Sequence, residues 1–548
     1  MALNADLQKE LDARIFALEL ELRDLKERRN ALSPISCLPL EILCKIFVLS
    51  VPSIDYEEYE GRIIPHAVAL SRVSHGWRTI TLDYPEIWGH LHVGVQTKSK
   101  LVDLALDRAH RSPIYLNLCG FFRDGKPLDS IPALTKIVHE RPTQCRALDL
   151  YVHEESLRSV LDGQKVGFDR LKYLKLDVVG SNNRYLPLTE FLESAFPQLH
   201  HLDLGWRIRI PSDCNLLQSP HLTHIDIRGV LTVDDALIGL FALFKRSSRL
   251  QHFSVGRISC GGSSISRRQP QFCDSNEAIR LASLENLSLR LHDANAARVV
   301  TLLQSISVPA RARLQILCPR FEDTTPLMVA LQHAYGHLAP TALRIKGCIV
   351  TAWDDNSHDL ATPWIQVDTL SDSFSGLRNC HIWEWGWSFA SLRTLTLGGL
   401  SAVLPDGDAG SFWGYLAETA VETLRIDSFC VSDVEISQLL ESFRRGSNLC
   451  GAPIIPWPSL QTLLSILPRR SGYEYRRTRQ DLTTPTFHQQ IEYALDLVDA
   501  LKERESAAGA KPLDMLEFIQ PFDYPLDEDV LEMLNNGAVK VKVAQRLK

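Results

Sequence analysis

The chain predicts an α/β protein in three parts: a long N-terminal helix, a small all-α unit, and an irregular solenoid of alternating strands and helices. Three observations point there. Leucines and isoleucines recur every three or four positions over residues 3–32. Two short, very apolar helical segments follow before residue 93. From about residue 145 onward a pattern LxxLxL keeps returning, with helical runs between its copies.

In the first part, Leu11, Ile15, Leu18, Leu22, Leu25 and Leu32 stand 4, 3, 4, 3 and 7 apart on a segment otherwise rich in Glu, Arg, Lys and Asp. That is the a/d seam of a heptad. Ser33-Pro34 ends it, because proline cannot continue a helix and disfavours helical backbone before it. The seam spans about three heptads, near the length at which an isolated helix is marginal in water. Residues 3–32 therefore self-associate as a coiled coil, or form a single amphipathic helix lying on its own domain. Tertiary packing stabilises most helices, which favours the second reading.

The second part begins with "SCLPLEILCKIFVLS" (36–50). Pro39 suits a first helical turn, where its missing N–H is no loss, and Glu41 follows where the helix dipole favours a carboxylate. Leu38, Ile42, Leu43, Ile46 and Phe47 share one face. A second helix places Leu70, Val73, Trp77 and Ile80 on one side; Tyr84-Pro85 closes it, and Trp88 leads into a strand with Leu91 and Val93. Two short helices cannot bury all these large side chains against each other, so something else covers part of that face.

The third part carries "LKYLKLDV" (171), "LHHLDLGW" (199), "LTHIDIRG" (222), "LQHFSVGR" (250), "LENLSLRL" (284), "LRTLTLGG" (392), "VETLRIDS" (421) and "LDMLEFIQ" (513), with weaker copies at 145, 341 and 460. The last two apolar residues of each copy are two apart, which puts them on one side of a strand. Helical runs begin near residues 234, 295, 324 and 432, the third with Thr325 as cap and Pro326 as its first residue. Strand then helix, repeated, is the signature of a solenoid. The regular leucine-rich pattern would place Asn or Cys where Val179 and Arg207 stand, so its Asn ladder is missing, and the spacings 341–392 and 460–513 leave room for irregular units. The Gly/Ser-rich segment 256–276 and the Arg-rich segment 468–480 read as solvated loops.

Composition excludes several functions. A net charge of −7 offers no global basic field to nucleic acid or an anionic membrane. No apolar run approaches the ~18 residues of a spanning helix. The 12 cysteines include no CxxC pair and follow a polar, charged N-terminus, so the expectation is reduced thiols in a cytoplasmic or nuclear protein. No P-loop, GxSxG, HExxH or EF-hand pattern occurs, and the sequence implies no catalytic residue, no cofactor and no metal site. His200, His201, His221 and His224 fall within repeat strands and read as surface residues. Two features are candidate contacts for a protein target. Asp177, Asp203 and Asp226, read as equivalent positions of successive copies, would line one strand face. Trp383, Trp385 and Trp387 alternate in "HIWEWGW", so a strand would carry them on one side, either exposed as a binding stripe or buried as core.

"CLPLEILCKIF" followed by "ALSRVSHGWRTITLDYPEIWGHLHV" resembles the F-box-like domain, whose usual form is LPxEIL..IF and then a helix approximating VS..WR.IA...P.LW..L. The combination of leading helix, this domain and degenerate leucine-rich repeats is similar to a large group of F-box-like proteins in mushroom-forming fungi, and "LVDLALDRAHRSPIYLNL" (101–118) resembles the segment joining domain to repeats there. The motif covers residues 34–93. Departures are Leu40, where a small polar or acidic residue is usual, Gly76, which weakens a helix interior by ~1 kcal/mol relative to Ala, and the insertion over 51–66. The resemblance implies docking on Skp1, the adaptor that ties a substrate receptor to a cullin-based ubiquitin ligase. By position, Leu38, Pro39, Ile42, Leu43, Ile46 and Phe47 match the docking helix, and Val73 and Trp77 match the second. The implied organisation is a helix over 1–33, an F-box-like domain over 34–93, a connecting segment over 94–144, leucine-rich repeats over 145–525 and a C-terminal tail over 526–548. The alternative is an interaction scaffold without ligase coupling.

Overall fold

A computed structural model describes residues 2–51, 66–94, 97–119, 131–161, 167–180, 186–187, 196–233, 238–260, 278–290, 296–317, 325–336, 338–346, 349–353, 365–368, 385–398, 419–427, 457, 459–466, 487–506, 513–518 and 541–543, with single positions at 440, 443, 532 and 534. The chain is mixed α/β with mostly parallel sheet and divides into two compact units, residues 1–231 and 232–548.

In the first unit, α1 (Ala2–Ala31) stops before Ser33-Pro34 and a single 3-10 turn follows. α1 does not lie on its domain. Every side chain described from Asp6 to Arg29 is exposed, because a stripe of two positions in seven, flanked by charge, is too narrow to seat on a globular surface. α2 (Leu40–Leu49) begins one residue later than expected: Pro39 is its cap, and the Pro39 carbonyl accepts the Ile42 and Leu43 N–H groups at 3.0 Å each. The expected second helix is two helices, α3 (His66–Leu70) and α4 (His75–Asp83). Ser74 is extended between them, and its hydroxyl accepts the Trp77 N–H at 3.2 Å, so serine chemistry that favours a cap overrides the continuous apolar period. Gly76 thus sits in a first turn, where it costs less than in a helix interior. α5 (Pro85–Trp88) completes this part.

A parallel sheet follows directly. Its strands are β1 (His90–Val93), β2 (Ile114–Cys119), β3 (Cys145–His153), β4 (Tyr173–Val179), β6 (His201–Leu204) and β8 (His224–Val233), each paired with the next; β5 (Leu186–Pro187) pairs separately with β7 (Ile208–Pro211). The segment 94–144 is therefore no connector. It supplies α6 (Ser99–Ala109), β2 and α7 (Ile131–Glu140), and the parallel sheet already begins at β1. β2 escapes the LxxLxL template because it keeps only the alternation, with Ile114, Leu116 and Leu118 buried and the leading leucine absent. α8 (Glu154–Leu161) follows β3.

The second unit contains α9 (Ile238–Arg246), β9 (His252–Cys260), β10 (Ile279–Arg280), β11 (Asn286–Arg290), α10 (Ala296–Gln304), β12 (Ile306–Ser307), β13 (Arg313–Leu317), α11 (Thr325–Tyr335), β14 (Ala342–Lys346), β15 (Ile349–Trp353), β16 (Ile365–Asp368), β17 (Thr394–Gly398), β18 (Thr423–Asp427), β19 (Thr462–Ile466), α12 (Phe487–Ser506), β20 (Met515–Phe518) and β21 (Val541–Val543). The sheet runs β9-β11-β13-β16-β15-β14-β17-β18-β19-β20-β21, parallel except for β15, which is antiparallel to both neighbours; β10 and β12 form a separate pair. The long spacing from 341 to 392 holds that antiparallel insertion. The region 526–548 is not wholly a tail, since Val541 and Val543 alternate like a strand and pair with Leu516 and Phe518.

Every LxxLxL copy, strong or weak, forms a strand. Successive copies are locked by the backbone of their second residue: the His200 N–H donates to the Lys172 carbonyl (2.9 Å), Thr223 to His200 (2.8 Å), Glu422 to Arg393 (2.8 Å) and Gln461 to Glu422 (2.8 Å). A turn precedes several of these strands, with the leading leucine N–H donating three residues back, as in Leu171 to Phe168 (3.1 Å), Leu199 to Phe196 (3.2 Å) and Leu392 to Phe389 (3.1 Å); before β20 the Leu513 N–H donates instead to the Glu505 carboxylate at 2.8 Å. Arg207, where the regular leucine-rich pattern would place Asn or Cys, donates from its guanidinium to the Gly180 carbonyl.

Residues 52–65 of the insertion, 261–276 of the Gly/Ser-rich segment, the Arg-rich segment 468–480 and most of the helical run near 432 lie outside the described residues.

Candidate functional site

α2 packs through Leu43, Cys44 and Phe47, which are buried with Ala67, Leu70, Ile87 and Trp88. Phe47 meets Trp77 at a ring-centroid distance of 4.6 Å and an interplanar angle of 53°, tying α2 to α4. The Trp77 carbonyl accepts the Thr81 hydroxyl at 2.7 Å, and the Thr81 carbonyl accepts the Trp88 indole N–H at 2.7 Å. The Arg108 guanidinium lies 5.2 Å from the Trp88 ring centre. His66 reaches back to the Phe47 carbonyl at 2.9 Å.

The face expected to dock an adaptor is therefore divided. Leu43 and Phe47 are 5% and 1% exposed and belong to the core of this small unit, because the 3.6-residue turn rotates them inward against α5 and Trp77. Leu38, Ile42 and Ile46, at i, i+4 and i+8, are 37%, 43% and 37% exposed, and Leu40, Leu49 and Val73 are also exposed. Pro39 is exposed and Trp77 half-buried beside Phe47. What remains outside is an apolar ridge along α2 with Val73 from the turn before α4.

The polar face of the first sheet has two rows that run across all six strands, set by strand register. One row is His90, Tyr115, Ala147, Tyr173, His201 and His224; the next is His92, Asn117, Asp149, Lys175, Asp203 and Asp226. Asp177 is not in that second row. Lys175 occupies the position equivalent to Asp203, and Asp177 lies two residues further on, aligned with Tyr151, so the expected line of three carboxylates is broken. Nor is the face a bare acidic ridge. Arg228 contacts Asp203 at 3.0 Å and Asp177 at 3.5 Å, Lys175 lies 3.9 Å from Asp149, and Asn117 donates to Asp149 at 3.2 Å.

Rings stack along the first row: His90 on Tyr115 at 4.4 Å, Tyr173 on His201 at 4.6 Å and His201 on His224 at 5.2 Å. Burial pushes the His90 imidazole down to about 4, with His92 adding to the shift, and burial lowers His92 as well. Burial pushes the Tyr173 phenol up to about 12, helped by Asp149 and Asp203. The Asp177 carboxyl is raised by burial against the pull of Arg228. Burial opposes the Arg228 charge, yet Asp203 and Asp177 outweigh it and raise its pKa.

The tryptophan stripe is not a surface. Residues 385–389 form no strand; Gly386 has φ +71°, and Trp385 and Trp387 are buried with centroids 5.2 Å apart. The left-handed glycine breaks the alternation from which a single stripe was expected. The Trp387 indole donates to the Met328 carbonyl at 3.1 Å, and Trp383 lies outside the described residues. The histidines stack in pairs, His200 on His221 at 5.5 Å, and among the described residues no group of three or more His, Cys, Asp or Glu could hold a metal ion. Nor is any described helix long and apolar enough to cross a membrane.

Sequence reasoning missed Arg504. Its side chain is buried in the second unit and donates to the carbonyls of Trp457 (2.7 Å) and Leu460 (3.1 Å), at the turn before β19. The one available signal was an arginine within an otherwise amphipathic helix. The rows of rings were visible only once register aligned residues some 25 apart.

Comparison with protein-family models gives no match to this chain, and comparison with curated proteins gives none either.

Proposed function

We propose that this chain is a non-catalytic substrate receptor of an SCF-type ubiquitin ligase. In this reading the α2 ridge docks a Skp1-type adaptor, itself bound to a cullin, and an irregular leucine-rich-repeat solenoid holds a target protein. The mechanism is proximity: a tethered target meets the ubiquitin-charged enzyme at raised effective concentration, and no residue of this chain performs chemistry. The reading places the protein in the cytoplasm or nucleus. One observation carries it. Leu38, Ile42 and Ile46 stand exposed on a helix whose inward face is already satisfied, inside the segment that resembles the F-box motif. A target would meet the polar sheet face, where Asp177, Asp203 and Asp226 stand among Arg228, Lys175 and the stacked rings; Trp385 and Trp387 take no part.

Co-expression with a Skp1-type adaptor tests the docking. Wild type should retain the adaptor, and Ile42→Asp with Ile46→Asp should lose it by placing charges in an interface that must desolvate. Leu43 is unsuitable for this purpose, since an aspartate there would unfold the unit. Failure of wild type to retain the adaptor would leave the alternative, an interaction scaffold not coupled to ubiquitination.

A further inference from the structure

α1 is 30 residues long, its seam residues Leu11, Ile15, Leu18, Leu22 and Leu25 are between 51% and 58% exposed, and Leu32 just beyond its end is exposed as well. A single helix with its apolar stripe in water has little to stabilise it. We infer that α1 pairs with α1 of a second copy of this chain, as a parallel two-stranded coiled coil.

The heptad assigns the partner and the direction. Gln8, Ile15, Leu22 and Arg29 fall at a, and Leu11, Leu18 and Leu25 at d; Ile15, the one β-branched residue at a, together with leucine at each of these d positions favours two strands. The flanking g and e positions then decide orientation. In a parallel pair, Arg14 faces Glu19 of the other copy, Glu21 faces Lys26, and Leu7 faces Asp12, so both charged pairings attract and none repels. In an antiparallel pair with Ile15 opposite Leu18, Arg14 meets Glu21 but Asp12 meets Glu19, so an attraction is offset by a like-charge contact. Arg29 at the last a position opposes its own copy in the parallel arrangement. That lowers stability at one end while disfavouring larger bundles that would bury it, the known use of a polar residue at a. The ridge on α2 is a separate surface, so this inference stands or falls independently of adaptor docking.

Sedimentation of the full-length protein, at on the order of 50 µM, should give twice the 61.8 kDa chain mass. Leu18→Lys with Leu22→Lys should give the single-chain mass with a melting temperature of the folded units close to wild type, since these side chains are 58% and 51% exposed and belong to no core. A single-chain mass for wild type overturns the pairing. Orientation is read from Glu19→Arg. In the parallel pair it sets arginine against Arg14 twice and should raise the dimer dissociation constant roughly fivefold or more. In an antiparallel pair it would relieve the contact with Asp12 and tighten the dimer, and that result would overturn the parallel assignment.

Discussion

Arg228 Nη2 lies 3.0 Å from the Asp203 carboxylate, reaching from β8 to its neighbour β6. The same guanidinium extends to Asp177 on β4, one strand further. Glycine makes the longer reach feasible: a Cβ at Gly205 would overlap the Asp177 carboxylate. One cation thus joins three neighbouring strands on a half-buried face.

Arg228→Ala is expected to lower stability at pH 7 by about 1–2 kcal/mol, because it leaves two partly buried carboxylates without their cation. The pH dependence fixes the cause. Asp177 already has a folded pKa above its ordinary 3.8, so the folded state binds the proton more tightly and stability falls as pH rises through that window. Removing Arg228 raises the folded pKa further. The variant's deficit should therefore be greatest at neutral pH and shrink as pH falls towards 3.8, which thermal melts across that range would show. A deficit independent of pH would mean that lost packing, not charge, is responsible.

The divided face of α2 makes a second prediction. Leu43→Ala empties a site in the core of the small unit and should cost about 2–4 kcal/mol. Ile42→Ala and Ile46→Ala remove exposed groups and should each stay within about 0.5 kcal/mol of wild type. Denaturant unfolding of the three variants measures the split; equal losses would show that all three positions are core.

Much of this arrangement was legible in the sequence, for a physical reason. Strand positions follow from LxxLxL because a two-residue period leaves little freedom over which side is buried, and every copy formed its strand. β2, β13 and β21 were missed because they keep the alternation while lacking the leading leucine. Arg311 stands in that place before β13, and one residue later the Ala312 N–H donates to the Pro309 carbonyl (2.9 Å), so a turn still leads into the strand without the leucine. At α2 the sequence identified an apolar face but could not divide it. The dividing line comes from Phe47 meeting Trp77 across a turn capped by Ser74, which is a tertiary contact. The polar rows depend on register between strands, which local patterns do not encode.

Arg504 supports a third prediction. Its guanidinium reaches the carbonyls of Trp457 and Leu460, and Trp457 is held at φ +50°, a conformation that side-chain-bearing residues adopt at a cost. Arg504→Met keeps the length and removes these donors. The expected loss is about 1–3 kcal/mol, since charged hydrogen bonds to buried carbonyls outweigh the recovered desolvation of the cation. Denaturant unfolding of the variant and wild type measures the loss. No change in stability would mean that desolvation of the buried cation cancels its bonds.

His90 gives the sharpest dependence on pH. Its ring stacks on Tyr115 at the start of the first sheet, and burial holds its pKa down at about 4, below the ordinary 6.5. A group whose folded pKa is depressed binds protons more readily when unfolded. Stability is therefore full above about 6.5 and is lost as pH falls through the window down to about 4. His92, lowered in the same direction, adds to the slope. His90→Phe keeps a stacking ring but cannot take up a proton, so its melting temperature should fall less than that of wild type between pH 6.5 and 4, while the two nearly coincide at pH 7.5. Parallel declines for the two proteins would place the titration elsewhere, and a large loss at pH 7.5 would assign His90 a polar contact that phenylalanine cannot replace.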